Sequence, residues 1–148
     1  FQITKLLTRC LLLAQAALAK EDVTIHTSFG AEGRPVRVHV RGGRVIEDKY
    51  VIHFPTKMVN AWDNVTHTCS QMLYFESEDE VDRWCARHRI PRGDVQSLGS
   101  FWPFARVWYG KHLDENWVKW TGDQARELFA KHGLTGATWD LAATKERF

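Results

Sequence analysis

The sequence has few cysteines, little net charge and no long apolar run. Three cysteines in 148 residues are an odd number and too few for a disulfide scaffold, so we predict a reducing, cytoplasmic location. A formal net charge of +2 gives no electrostatic support for nucleic-acid binding. No apolar stretch reaches the ~18 residues of a membrane span, and neither C-x-x-C nor H-x-x-x-H spacing is present. We therefore predict no nucleic-acid or membrane partner and no zinc site.

The first twenty residues allow two interpretations. Lys5 and Arg9, followed by the apolar residues 11–19, imitate a secretory signal peptide that ends in a small-x-small site. The apolar residues from Ile3 to Leu18 also recur at helical spacing, and they cover nearly the whole circumference of the helix. We favour the second interpretation, a central buried helix.

The rest of the chain alternates between strand and helix patterns. Hydrophobic residues make up 44% of the sequence, which is enough for a real core and argues against disorder. Strands are predicted at residues 23–25, 36–40, 51–54 and 72–75, with Gly42-Gly43 as a hairpin turn and residues 55–64 as a loop. We predict one domain over residues 1–148, of α+β class, in which helices pack on an antiparallel sheet.

Three later helices have clear boundary signals. Ser77 and Glu80 predict a capping box for a helix that runs to about His88, with Val81, Trp84 and Cys85 on its inner face. Residues 101–108 have helical spacing, which would place Pro103 in the first turn. The last helix is predicted from about residue 123 to 132, with Gly133 closing its carboxyl end.

Cys10 and Cys69 are the most informative residues for function. Cys10 lies in the apolar helical run, where a buried core thiol is the ordinary interpretation. Cys69 precedes a strand in polar surroundings, and a nearby imidazolium at His67 would favour its thiolate. If the fold brings the two together, the pair would bind a soft metal ion in preference to a hard one. Cys85, next to Trp84 on a helix, is predicted to be inert.

The segment from Cys69 to Phe75, followed by an acidic helix with Trp84, resembles the second catalytic cysteine segment of organomercurial (alkylmercury) lyases. The similarity extends over about residues 6–109: Cys10 falls on the family's first cysteine, and Gly33-Arg34-Pro35-Val36 matches its Gly-x-Pro-Val element. The resemblance implies that the Cys10 and Cys69 thiolates bind mercury while the carbon–mercury bond is protonated. It also implies that an N-terminal helical domain precedes this catalytic core.

Two positions depart from the family pattern. The family's proton-donating aspartate stands three residues after the first cysteine, where this chain has Leu13, and Arg9 replaces the usual tryptophan. A substitute acid would have to come from elsewhere: Asp63 first, although it is also a typical turn residue, or Glu32. A cysteine thiol could also deliver the proton.

Three functions therefore stay open. The first is an organomercurial-lyase-like enzyme; the second is a protein of the same fold that binds Hg²⁺ or Cu⁺ without cleavage. The third is an enzyme that uses Cys69 on a different organic substrate, which would not need Cys10. All three imply a small organometallic or organic partner. No cofactor is required, and Hg(II) or another soft metal would be the substrate or product. Tryptophans at 62, 102, 108, 117, 120 and 139 are predicted in the core or lining a pocket, and the arginines at 34, 37, 41 and 44 on a solvated face.

Overall fold

The computed structural model describes residues 2–3, 9–19, 21–31, 33–62 and 71–142, and for residues 2, 3, 9–12 and 61 the backbone alone. The strands are β1 Gln2–Ile3, β2 Val23–Ser28, β3 Pro35–Arg41, β4 Arg44–Val45, β5 Val51–Phe54, β6 Leu73–Phe75 and β7 Asp94–Ser97. The helices are α1 Arg9–Ala19, α2 Met58–Ala61, α3 Glu78–His88, α4 Leu98–Tyr109 and α5 Gly122–Lys131. The α+β class is confirmed.

The strands form two small sheets where one was expected. The first has the order β1-β2-β3-β4, and the second has β5 at its centre between β6 and β7. All neighbouring strands are antiparallel except the short β1–β2 pair. A hydrogen bond from the Gly30 amide to the Tyr74 carbonyl (2.7 Å) joins the sheets.

The first sheet follows the alternation in the sequence. Val23 pairs with Val40 and Ile25 with Val38, and all four side chains are buried. The hairpin between β3 and β4 turns at Gly42 and Gly43, whose φ values of 53° and 76° favour glycine. The predicted strand pattern and hairpin are thus confirmed.

Four local features differ from the prediction. Gln2–Ile3 is a strand beside β2, although helical spacing was predicted from Ile3. Residues 58–61 of the predicted loop form the single turn of α2, and the polar β7 was missed. β7 has few apolar residues, and its backbone pairing with β5 holds it in the sheet. Pro103 is the sixth residue of α4, because that helix begins at Leu98, where the Ser97 hydroxyl caps it.

The predicted boundaries of the other helices are confirmed. The Ser77 hydroxyl accepts from the Glu80 amide at the start of α3, but the Glu80 carboxylate accepts from the Glu76 amide, so the reciprocal half of the capping box is shifted. Thr121 and Gln124 make a complete capping box for α5. One large core joins α1, the first sheet, α4 and α5, and a smaller one lies between β5, β6 and α3.

Candidate functional site

An aromatic cavity of about 500 Å³ lies between α1, α4 and the carboxyl-terminal part of the chain. Ala14 and Leu18 contribute one wall from α1, and α4 contributes another through Phe101, Phe104 and Trp108. Its remaining described wall residues are mostly aromatic or apolar: Phe54, Met58, Trp62, Met72, Tyr109, His112, Trp117, Lys119, Trp120, Phe129 and Trp139. A cavity of this size and lining suits a small organic group.

Several of these rings stack face to face. Trp108 lies 15° from parallel to Trp120, with ring centroids 5.7 Å apart, and 26° from parallel to Phe129 at 5.8 Å. Phe104 also stacks on the Trp108 indole, with ring centroids 5.4 Å apart. Part of the cavity wall is therefore a stack of flat rings centred on Trp108.

The polar atoms of two wall tryptophans are already bonded. Trp120 donates its indole N–H to the Trp108 carbonyl at 3.3 Å, and Trp139 donates to an Asp94 carboxylate oxygen at 2.5 Å. These indoles consequently offer only apolar surface to a ligand. Of the six tryptophans expected to be core or pocket lining, five line the cavity. Trp102 instead packs in the core and donates to the Gly43 carbonyl.

The predicted site residues lie close in the sequence to residues of the cavity wall. Cys10 lies in α1, four residues before the wall residue Ala14, and only its backbone is described. Asp63, Cys69 and the alternative acid Glu32 lie outside the described residues. Trp62 and Met72 are both in the wall, and the chain that joins them carries Asp63 and Cys69.

Leu13, which stands where the resemblance implies an aspartate, is 2% exposed and belongs to the large core. The described wall contains its neighbour Ala14 but not Leu13 itself. No aspartate or glutamate is among the described wall residues either. The part of the cavity that the structure describes thus supplies no carboxylic acid.

Cys85 lies apart from the cavity, in the smaller core, and is 6% exposed. Its sulfur is 3.6 Å from Nε2 of His53 and donates to the Pro91 carbonyl at 3.9 Å. Burial raises the pKa of the Cys85 thiol. This environment supports the prediction that Cys85 is inert.

His53 is fully buried beside that thiol. Its Nε2–H donates to the Arg92 carbonyl at 2.7 Å, which leaves Nδ1 unprotonated and without a hydrogen-bond partner among the described residues. Burial lowers the pKa of His53. The ring is therefore neutral at pH 7 and structural.

A second, open groove of about 540 Å³ lies across α3 and the turn after β2, with Arg34, Arg83, Trp84 and Arg87 on its walls. Arg34 is exposed and forms an ion pair with Glu76.

Arg41 does not lie on a solvated face as predicted. It is half-buried and donates to the Val23 carbonyl (2.8 Å) and the Thr24 hydroxyl (2.9 Å).

The Gly-x-Pro-Val element has a physical reason in the fold. A Cβ added at Gly33 would lie 1.8 Å from the Phe29 carbonyl oxygen, so only glycine fits without a shift of the backbone. The same turn is held by a hydrogen bond from the Phe29 amide to the Arg34 carbonyl at 3.0 Å. Gly33 thus sets the geometry at the start of β3.

The described residues contain no group of three or more His, Cys, Asp or Glu side chains arranged to hold a metal ion. No helix in the described part of the chain is long and apolar enough to cross a membrane.

The family model for MerB, alkylmercury lyase, matches residues 3–110. The chain belongs to the alkylmercury lyase family. The match contains Cys10, Leu13 and Cys69 and ends just after α4. No curated protein matches the chain significantly.

One similar solved structure is the mercury-bound form of MerB2. It is 25% identical with a TM-score of 0.54, and the match covers 73% of this chain and 51% of that one. This chain therefore spans about half the length of that relative in the alkylmercury lyase family. The structural match and the family match therefore point to the same family.

Proposed function

We propose that this chain binds organomercurial compounds through the thiolates of Cys10 and Cys69, with the organic group in the aromatic cavity. One observation carries the proposal: the cavity wall contains Ala14, one helical turn after Cys10, and both Trp62 and Met72, which flank the segment with Cys69. Residues four apart share a helix face, so the register of α1 favours Cys10 at the same cavity. The family match supports the two cysteine roles.

The reaction that this arrangement serves is protonolysis of the carbon–mercury bond. Two thiolates bind the mercury of R–Hg⁺ and raise the electron density on its carbon. A proton then adds to that carbon as the carbon–mercury bond breaks, so the hydrocarbon R–H leaves and Hg²⁺ stays on the two sulfurs. The acid must lie within hydrogen-bonding distance of the carbon. If the chain cleaves the bond, our first choice for that acid is Asp63, on the segment between the wall residues Trp62 and Met72.

A second candidate function is retention of the mercurial without cleavage. It is favoured by Leu13, which stands where the family has its acid and packs in an apolar core. The absence of a carboxylate from the described cavity wall points the same way. We therefore expect tight binding, with cleavage that is slow or absent in the natural sequence.

The test is mercury uptake by the reduced protein, followed by native mass spectrometry in the presence of a competing thiol. Wild type should bind one Hg²⁺ per chain, and Cys10→Ala or Cys69→Ala should abolish tight uptake. Cys85→Ala is the matched control and should bind like wild type. Loss of uptake in Cys85→Ala alone would show that the wrong thiols were chosen.

The same variants separate the remaining alternative. An enzyme that uses Cys69 as a nucleophile on another organic substrate needs only one thiol. Full retention of tight uptake and of any phenylmercury turnover in Cys10→Ala would contradict the paired-thiolate proposal.

A further inference from the structure

About a third of the described cavity wall comes from beyond the family match. The match ends at residue 110, and the wall residues that follow it are His112, Trp117, Lys119, Trp120, Phe129 and Trp139. Two of them, Trp120 and Phe129, complete the ring stack, because both stack on Trp108 of α4. The shape of the cavity therefore depends on a part of the chain that the family pattern does not specify.

The rim of the cavity is also aromatic and carries little charge. His112 stacks on Trp117 with centroids 4.3 Å apart, and its Nδ1–H donates to the Tyr109 carbonyl at 3.1 Å. Burial lowers the pKa of His112, which keeps the ring neutral at pH 7. The Lys119 ammonium lies over the Trp62 ring, 5.6 Å from its centroid. The rim thus continues the ring surface of the interior.

The chemistry of the wall, more than its size, defines the occupant. A volume of about 500 Å³ accommodates a phenyl ring as readily as a methyl group, but a methyl group would contact fewer of the wall rings. The wall instead presents indole and phenyl rings, and an aromatic ligand packs on such rings, face to face or edge to face, with a gain beyond its buried area. Trp120 and Trp139 have no free indole N–H to bind a polar substituent.

We infer that the cavity selects a flat aromatic group, and that residues 112–139 make this selection. This inference rests on the proposed function, in which Cys10 and Cys69 bind the mercury. It adds the class of organic group that the cavity binds. The chain would then favour aryl over short alkyl mercurials. Binding of an aromatic group in the cavity does not itself require mercury.

The first test uses metal-free ligands, so that it is independent of the cysteines. Toluene and methylcyclohexane are similar in size, but methylcyclohexane is more hydrophobic and is not flat. Tryptophan fluorescence titration of the Cys10→Ala/Cys69→Ala double variant should give tighter binding of toluene. Equal binding, preference for methylcyclohexane, or no binding of either would overturn the inference and leave the mercury proposal standing.

The second test changes the wall. Trp120→Leu removes the ring that stacks on Trp108, and it should weaken toluene binding by roughly threefold to tenfold. Trp84→Leu is the control, because Trp84 lines the other groove, and it should bind toluene like wild type. Circular dichroism confirms folding. If Trp120→Leu does not fold, Trp117→Leu at the exposed rim should show the same direction. Unchanged binding in whichever variant folds would contradict the role of residues 112–139.

The third test compares mercurials on the wild-type protein. Phenylmercury should displace methylmercury in competition, by about tenfold or more in affinity, and Trp120→Leu should reduce that ratio. Failure of both mercurials to bind, with toluene binding intact, would refute the mercury proposal alone. Equal affinity for the two mercurials would contradict the selection of aromatic groups.

Discussion

Trp108 and Trp120 stack 15° from parallel, and the Trp120 indole N–H donates to the Trp108 carbonyl at 3.3 Å. The first residue belongs to the segment that matches the alkylmercury lyase family, and the second lies beyond it. The pair therefore joins the family fold to the carboxyl-terminal segment at the cavity wall. Trp62 also contacts Trp108, edge to face at 65°, so Trp108 links three of the five tryptophans that line the cavity.

The Leu13→Asp variant should gain cleavage activity. It restores a carboxylic acid three residues after Cys10, and the apolar surroundings of this buried position would raise the pKa of that acid and keep it protonated, as a donor requires. Benzene release from phenylmercury, measured in the headspace, should rise at least tenfold over wild type. Burial of the acid should also cost about 2–5 kcal/mol in the free energy of unfolding.

Leu13→Asn is the matched control for that experiment. It has nearly the same size and polarity as the aspartate variant but cannot donate a carboxylic proton, so it should destabilise the fold without raising benzene release. Equal activity in the two variants would show that position 13 does not deliver the proton.

Asp63→Asn tests the substitute acid. If the wild type releases benzene at a measurable rate, this variant should lower that rate by about tenfold or more, since general acid catalysis commonly contributes about 10²–10⁴-fold. Mercury uptake should be unchanged, because the thiols are intact. A wild-type rate that survives in Asp63→Asn would assign the proton to another group, such as Glu32 or a thiol.

Gly33→Ala should destabilise the fold substantially. The added Cβ would lie 1.8 Å from the Phe29 carbonyl oxygen, so the turn before β3 must move. We expect a loss of about 2 kcal/mol or more in urea unfolding. Gly122→Ala, where an added Cβ meets nothing within 4 Å, should leave stability unchanged or slightly higher. A Gly33→Ala protein as stable as wild type would contradict this account of the Gly-x-Pro-Val element.

His53 should make stability depend on pH. Its pKa is lowered in the folded state, so the unfolded chain binds more protons as the pH falls below about 6.5. Stability should therefore be highest above pH 6.5 and fall toward pH 5.5, where protonation would also bring a charge beside Cys85 and the Arg92 guanidinium. Urea unfolding at pH 7.5 and 5.5 should show a smaller drop in His53→Gln than in wild type. The exposed-site control His88→Gln should not show this flattening.

The regular elements could be predicted because their residues carry strong local signals. Val36, Val38 and Val40 alternate, Gly42-Gly43 makes the turn, and Ser77 caps α3. β7 could not be predicted in this way, since its half-buried residues are held by pairing with β5 and not by an apolar pattern. The arrangement of the two sheets likewise depends on long-range contacts, such as the hydrogen bond from the Gly30 amide to the Tyr74 carbonyl that joins them.

The candidate site was only partly predictable for a similar reason. The cysteine pair and the missing acid are predictions from motifs around Cys10 and Cys69. The tryptophans were predicted to be core or pocket lining. The shape of the cavity wall depends on how Trp120 stacks on Trp108 and how His112 contacts Tyr109, which no spacing in the sequence reveals. The neutral, stacked state of His112 could be identified only from its burial and its bond to Tyr109.

The most direct test of the central claim is X-ray absorption spectroscopy of the Cys85→Ala variant with one equivalent of Hg²⁺. That variant keeps only two thiols, Cys10 and Cys69. Paired thiolates predict two sulfur neighbours for mercury, each at a mercury–sulfur distance near the ~2.3 Å typical of metal–thiolate bonds. One sulfur with nitrogen or oxygen as the second neighbour, or two sulfurs only in a dimer of the chain, would contradict the claim that Cys10 and Cys69 bind one mercury ion together.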